Sequence, residues 1–307
     1  MRIALLAGGT GGAKLAAGMQ ELAGDELAVI ANTADDTDVV GIRVSPDPDL
    51  ITYWLAGEID EERGWGIKGD SFATFERLVR LGAPDWFRLS DRDLATCIYR
   101  TYFLAEGGRL TDAHAQIAHQ LGVRAAVLPM CEERVRTEVR TGAGWRDFQE
   151  YLILDRGEPA VEEVRVEGIE GAAPTPEVLG ALASAEAIVI GPSNPVVSIG
   201  PILALRGMVE AIRDAPAPVV AVSPFVAGRA IKGPTELFMA AAGRPASAEG
   251  VASLYEGLLD ALIIDDGDPE PPPAGMVTLV CPTLMRDEAG RRALAERTLE
   301  LCSTLVE

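Results

Sequence analysis

Residues Arg2-Ile3-Ala4-Leu5-Leu6-Ala7-Gly8-Gly9-Thr10-Gly11-Gly12-Ala13-Lys14 decide the fold. The aliphatic run is short, unbroken by polar residues and bounded by glycine, which predicts a strand buried on both faces, as in a parallel sheet. Glycines follow at once, and Ala13 to Ala23 carries the amphipathic pattern of a helix. A glycine turn between a buried strand and a helix lets backbone amides approach a phosphate, and the helix N-terminus adds partial positive charge. The turn fits neither common version. Lys14 stands where a dinucleotide fingerprint has its third small residue. Leu15 follows Lys14 where a Walker A loop has Ser or Thr. The stretch predicts phosphate binding by Gly9, Thr10, Gly11, Gly12 and Lys14, with a purely structural turn as the alternative.

Outward from this turn the pattern repeats. Leu27–Ala31, Ala187–Gly191, Pro218–Ser223, Leu262–Asp265 and Met276–Cys281 read as further buried strands. Amphipathic stretches lie between them, among them Pro201–Ile212 and Ala248–Ala261. This alternation predicts an α/β protein with a Rossmann-like, doubly wound parallel sheet. The middle differs. Ser71–Leu81, Asp91–Ala105 and Thr111–Gln120 read as helices, the third capped at Leu110-Thr111-Asp112. Residues 135–168 alternate like antiparallel strands. The expected organisation is a core of residues 1–49 and 171–307, with residues 50–170 inserted as an α+β cap over the site.

Composition limits the function. The chain has 307 residues, 48% of them apolar, enough for a large core. No run of about 18 apolar residues is present, so no membrane span is expected. The N-terminal run reads as a strand and not as a signal peptide. A formal charge of −20 argues against nucleic acid and anionic lipid as partners. Four scattered cysteines without a C-x-x-C pair fit a reducing cytoplasm, without disulfides or zinc. Two histidines, His114 and His119, are poorly spaced to share a metal on one helix face. Carboxylates, backbone amides and a hard metal are the tools left for catalysis.

Several polar clusters sit where strands end. Asn32-Thr33-Ala34-Asp35-Asp36 follows the second strand. Adjacent carboxylates beside a phosphate loop suit Mg²⁺, so Asp35 and Asp36 are candidate ligands; a solvated turn is the alternative. Ser45-Pro46-Asp47-Pro48-Asp49 holds two further carboxylates in a rigid turn. Trp86-Phe87-Arg88-Leu89-Ser90-Asp91-Arg92-Asp93 suits a planar or phosphorylated ligand, unless Ser90 or Asp91 is simply a helix cap. Gly191-Pro192-Ser193-Asn194-Pro195 lies at the carboxyl edge where open α/β sheets bind ligands. Gly228-Arg229-Ala230-Ile231-Lys232-Gly233-Pro234 brings two cations to the same edge.

Taken in order, these motifs resemble the 2-phospho-L-lactate transferase family of coenzyme F-420 biosynthesis. Further carriers of the resemblance are Gly64-Trp65-Gly66, Leu128-Pro129-Met130, Phe148-Gln149-Glu150-Tyr151, Val220-Ala221-Val222-Ser223-Pro224 and Thr283-Leu284-Met285. The resemblance runs nearly end to end; Ser71, Ser90 and Cys131 are small departures. It implies transfer of a phosphorylated three-carbon acid from a guanosine diphospho-donor to the ribitol hydroxyl of Fo (7,8-didemethyl-8-hydroxy-5-deazariboflavin). GMP leaves, and Mg²⁺ is required. By resemblance Asp49 and Arg88 bind Fo, and the glycine loop with Gly191, Ser193 and Asn194 holds the donor. Asp36 or Asp49 is expected to orient the hydroxyl. A homodimer is the expected assembly. Phosphoenolpyruvate, 2-phospholactate and 3-phosphoglycerate stay open as the donor's acid. The competing reading is a non-enzymatic nucleotide-sugar-binding regulator of the same superfamily. An NAD-dependent oxidoreductase is disfavoured by Lys14 and Asn32.

Overall fold

The computed structural model describes residues 1–306. Its central sheet consists of β1 (Ile3–Ala7), β2 (Leu27–Ala31), β3 (Ala126–Pro129), β4 (Ala187–Ile190), β5 (Val219–Val222), β6 (Ala261–Asp265) and β7 (Val277–Cys281). All neighbours are parallel, in the spatial order β3-β2-β1-β4-β5-β6-β7. The chain winds one way from β1 through β3 and the other way from β4 through β7. The crevice of such a sheet opens between β1 and β4, at the carboxyl ends of the strands. Leu6 pairs with Ile30 on one side and Ile190 on the other, so the loops after β1, β2 and β4 leave the sheet at one level.

The helices are α1 (Gly9–Ala23), α2 (Pro46–Leu55), α3 (Ala73–Arg80), α4 (Asp91–Ala105), α5 (Leu110–Gln120), α6 (Phe148–Ile153), α7 (Pro176–Ser184), α8 (Gly200–Ala204), α9 (Met208–Asp214), α10 (Thr235–Ala241), α11 (Ala248–Leu254) and α12 (Glu288–Val306). Side chains alternate across β1, so Ile3, Leu5 and Ala7 face one side and Ala4 and Leu6 the other. The first side is covered by Leu15 and Met19 of α1, Ile51 of α2 and Leu294 of α12. The second is covered by Val178 and Leu182 of α7, Ile212 of α9 and Val251 of α11. Both faces of the sheet are therefore core. Each fully buried Leu or Ile contributes about 1.5–3 kcal/mol.

Residues 50–170 are not a single inserted cap. Ala126–Pro129 is the edge strand β3, paired with β2 from Ala28↔Ala126 to Ala31↔Pro129. The run is only four residues long and ends in proline, so its local pattern gives no strand signal. What stands over the carboxyl edge comes in two pieces. One is the helical stretch from α2 to α4. The other is a three-stranded antiparallel sheet, with Arg136–Thr141 between Gly144–Asp147 and Glu163–Glu167.

Two helices are shorter than their periodicity predicts. Pro201–Ile212 is broken: a wide turn over Pro195–Ile199 leads into α8, and Gly207, at φ +88°, separates α8 from α9. α11 ends at Leu254, and Gly257 at φ +72° turns the chain toward β6. Helix capping also crosses the chain. Leu110 N–H donates to Glu132 Oε2 (2.7 Å), so the start of α5 is capped from a distant residue. Ser90 stands at the start of α4, while Asp91 accepts the Ala73 and Thr74 N–H groups and caps α3. Among the described residues no single helix is long and apolar enough to cross a membrane.

Candidate active site

A cavity of about 930 Å³ opens at the carboxyl edge of the sheet, beside the crevice between β1 and β4. The glycine loop forms one wall. Its residues are required for distinct reasons. A Cβ on Gly11 would meet Pro192 O at 2.1 Å, and one on Gly12 would meet Ser193 Oγ at 2.6 Å. Gly191 packs on Gly12 Cα in turn, at 3.3 Å from its own notional Cβ. Gly12 and Gly191 thus seal the loops after β1 and β4 against each other, and neither lines the cavity. Gly9, at φ +61°, turns the backbone into the helix with open space beside it. Its N–H donates to Asp47 Oδ1 (2.7 Å), and Gly8 N–H donates to Ser193 Oγ (3.1 Å). Thr10 and Gly11 line the cavity at the start of α1, where N–H groups lack intrahelical acceptors.

Lys14 and Lys232 flank this loop. Lys14 Nζ donates to Met285 O (3.0 Å) and lies 5.4 Å from the Trp54 ring centre. Lys232 Nζ donates to Thr10 Oγ1 (3.0 Å) and Gly64 O (3.1 Å). Burial lowers the pKa of both, and each is lowered further by a neighbouring cation, Arg291 for Lys14 and Lys14 for Lys232.

Asp35, Asp47 and Asp49 line the cavity. Asp35 Oδ1 is buried without a hydrogen-bond partner. Burial, then repulsion from Asp47, raises the Asp35 pKa well above the ordinary carboxylate value. Burial likewise lifts Asp47 to about 6, although Gly9 N–H and Asn32 stabilise its charge. Asn32, which occupies the place of a ribose-binding acid, instead donates to Asp47 Oδ2 (3.1 Å). Asp49 is lifted to about 7 by burial, against the pull of Arg100, whose guanidinium pairs with its Oδ1. Asp49, Asp93 and Cys97 bring possible ligand atoms within 4.8 Å of one another. That cluster is already engaged, because Arg100 holds Asp49 and Tyr53 OH donates to Asp93 (2.9 Å).

Asp36, expected beside Asp35 as a metal ligand and as a catalytic carboxylate, does not line this cavity. Its Oδ2 accepts Arg43 Nη2 (2.9 Å), Arg43 Nε (3.1 Å) and Ser45 Oγ (2.7 Å). Burial raises its pKa, and Arg43 and Ser45 oppose that rise. Neighbouring residues of a turn point apart, and the ribbon Thr37–Val39 paired with Ile42–Val44 folds Arg43 back onto Asp36.

Part of the lining is aromatic and includes Trp65, Trp86, Phe87 and Phe148. Arg88 also lines the cavity, with its guanidinium 4.6 Å from the Phe72 ring centre. Ser193 and Asn194 line it as well. Asn194 Oδ1 accepts Val196 N–H (3.0 Å) and Val197 N–H (3.2 Å), so it shapes its own loop. The structure therefore brings Gly9, Thr10, Gly11, Lys14, Asp35, Asp49, Arg88, Ser193 and Asn194 to one cavity. It leaves Gly12, Gly191 and Asp36 outside it.

A family model described as 2-phospho-L-lactate transferase CofD matches residues 3–276. The chain belongs to the 2-phospho-L-lactate transferase family. It is accordingly a transferase, and its relatives match over nearly its whole length. The 2-phospho-L-lactate transferase of Methanopyrus kandleri is 40% identical over 310 residues, covering 100% of this chain and 99% of the relative. The phosphoenolpyruvate transferase of Streptomyces griseus is 40% identical over 312 residues, covering 98% of each. A crystal structure of a member of the UPF0052 family from Bacillus halodurans superposes with a TM-score of 0.63, at 17% identity over 97% of this chain and 98% of that one. This last likeness concerns the fold.

Two site features of this transferase were not assigned from its sequence. Asp47 was seen only as part of a rigid turn, and Arg100 not at all. Arg100 did leave a signal: it shares the buried stripe of α4 with Asp93, Leu94 and Cys97, where an arginine requires a partner.

Proposed function

We propose that the chain transfers a phosphorylated three-carbon acid from a guanosine diphospho-donor to the ribitol hydroxyl of Fo, with release of GMP, in coenzyme F-420 biosynthesis. The observation that carries this reading is the mixed lining of one cavity. Two lysines and a helix N-terminus, several aromatic rings with Arg88, and three carboxylates all line it. A diphosphate suits the lysines and the helix N-terminus. A planar deazaflavin suits the aromatic faces and the guanidinium.

The reaction joins the ribitol oxygen to the phosphorus that carries the three-carbon acid and breaks that phosphorus's bond to the GMP oxygen. Such a step needs in-line alignment and charge stabilisation more than covalent help. Thr10 and Gly11 N–H with Lys14 would hold phosphate oxygens, and Ser193 and Asn194 would border the guanosine. Asp49, which lines the cavity, would take the hydroxyl proton, and a carboxylate near 7 suits that task. Mg²⁺ fits Asp35 and Asp47: both are hard oxygen donors that line the cavity, and Asp35 Oδ1 lacks a partner from the chain, as Asp36 Oδ1 does outside the cavity. When bound it would neutralise charge on the diphosphate. Asp36, held by Arg43, is replaced in this role by Asp47.

A nucleotide-sugar-binding regulator would use the glycine loop and leave the aromatic wall and Asp49 idle. Mass spectrometry of products from Fo, Mg²⁺ and each of the three guanosine donors tests the proposal. One donor is expected to yield an Fo adduct and GMP together. Failure of all three overturns it.

A further inference from the structure

Lys232 joins three segments that are far apart in the chain. Its ammonium donates to Thr10 Oγ1 in the glycine loop and to Gly64 O in the turn before Trp65. Its own loop is held up to Ala230: Asp265 Oδ1 accepts Ala227 N–H (3.1 Å), Asp268 Oδ1 accepts Gly228 N–H (2.7 Å) and Glu236 Oε1 accepts Ala230 N–H (3.0 Å). The tip, Ile231 to Gly233, is exposed. Gly64, at φ +74°, is shaped for the contact, since a Cβ there would lie 3.0 Å from the lysine nitrogen.

Both acceptors of Lys232 are neutral. Among the described residues it forms no ion pair with a carboxylate, in a chain with 47 acidic residues. Its nearest charged influence is a second cation, Lys14. An ammonium held by two neutral oxygens beside another ammonium gains from any phosphate that enters between them. Its present bonds have charge on the donor alone, and a phosphate oxygen adds the attraction of an opposite charge.

We infer that Lys232 is a donor-binding residue that exchanges its Thr10 and Gly64 contacts for the donor's phosphate oxygens, and in doing so releases the Gly64–Trp65 turn. The inference rests on the donor reading above and deepens it, because it links occupation of the phosphate site to the position of the Trp65 ring in the same cavity. Trp65 is the reporter. It lines the cavity, lies 6.1 Å from the Phe72 ring and carries the Arg63 guanidinium 5.3 Å from its own ring centre.

The test uses the full chain with Mg²⁺ and two probes, GDP and inorganic pyrophosphate, read by tryptophan fluorescence, together with transfer kinetics. The expected result is a fluorescence change that is lost in Trp65→Phe and in Lys232→Met and partly kept in Lys232→Arg. In Lys232→Met the KM for the donor should rise roughly 10- to 100-fold, as for loss of one charge-assisted hydrogen bond, while the KM for Fo stays within about twofold. An unchanged melting temperature shows that Lys232→Met folds. Unchanged donor KM and an intact fluorescence response in that variant overturn the inference. If the wild-type chain binds no GDP and uses no guanosine donor, the donor reading fails by itself. Lys232 is then judged by pyrophosphate: binding that depends on it supports a phosphate role, and binding that does not rejects it.

Discussion

Two pairs of cations sit around one cavity under opposite conditions. Arg43 and Arg100 are buried, and each is bound to a carboxylate of the chain, Asp36 and Asp49. Lys14 is half-buried and Lys232 exposed, and each donates only to neutral oxygens of the chain. The arginines also connect to each other, since Arg100 Nη1 donates to Arg43 O (3.1 Å). A buried cation with its own anion is part of the frame, and removing one partner strands the other. A cation without an anion, at the mouth of a cavity, costs the folded chain desolvation that a bound anion returns. The arginines hold the site's shape, whereas the lysines wait for its ligand.

The largest effect should come from breaking the paired set. Arg100→Met leaves the Asp49 carboxyl buried alone and should lower unfolding free energy by about 3–5 kcal/mol at neutral pH, measured by urea titration. Lys14→Met should lower it far less. Equal losses in the two variants would erase the distinction between frame and ligand cations.

The two adjacent acids divide along the same line. Asp35→Asn should cost at least about 100-fold in transfer rate, as loss of a charge-stabilising group does, with stability kept or raised. Asp36→Asn should chiefly destabilise, because Arg43 then loses its anion. Activity at limiting Mg²⁺ and urea unfolding on both variants measure the split. A stable but inactive Asp36→Asn would return the metal role to Asp36.

That split marks where reading the residues stopped. The strand–turn–helix after Arg2 and the burial of β1 on both faces were legible because an unbroken aliphatic run and glycine act locally. The resemblance was legible because its motifs lie at strand ends in a fixed order. Which way Asp35 and Asp36 point was not, because that is set by Arg43, brought back by a ribbon turning at Val40 and Gly41, both at positive φ. Gly12 and Gly191 looked like phosphate ligands, and their use as a seam between two loops depends on the β1–β4 register. β3 was hidden by brevity, and only its parallel pairing with β2 makes it a core strand.

A smaller effect probes the lysines. Lys14→Met should raise the donor's KM by roughly tenfold, and the dependence of that KM on salt should become shallower than in the wild type. KM for Fo should not follow. A change in the acceptor's KM alone would place Lys14 against the acceptor and not the donor.

The smallest effect tests the paired set through a neighbour. His114 is buried on α5, neither ring nitrogen has a hydrogen-bond partner, and the Arg100 and Arg43 charges add to burial in holding its pKa well below the ordinary imidazole value of about 6.5. The folded chain therefore keeps it neutral while the unfolded chain protonates it as pH falls. Unfolding takes up a proton below that value, so stability is full above it and declines as pH drops. From about pH 7.5 to about pH 6 this contributes a loss of about 0.8 kcal/mol, which His114→Leu should abolish. Urea unfolding of both chains at the two pH values isolates it, because the shared carboxylates cancel in the difference. Arg100→Met carries the argument further. It removes the stronger of the two charges that depress His114, so the histidine's own share of the decline should shrink in that background. If His114→Leu shows the wild-type decline, the imidazole is not held neutral beside these arginines, and the paired set is not the closed, internally compensated frame that the contrast with the lysines requires.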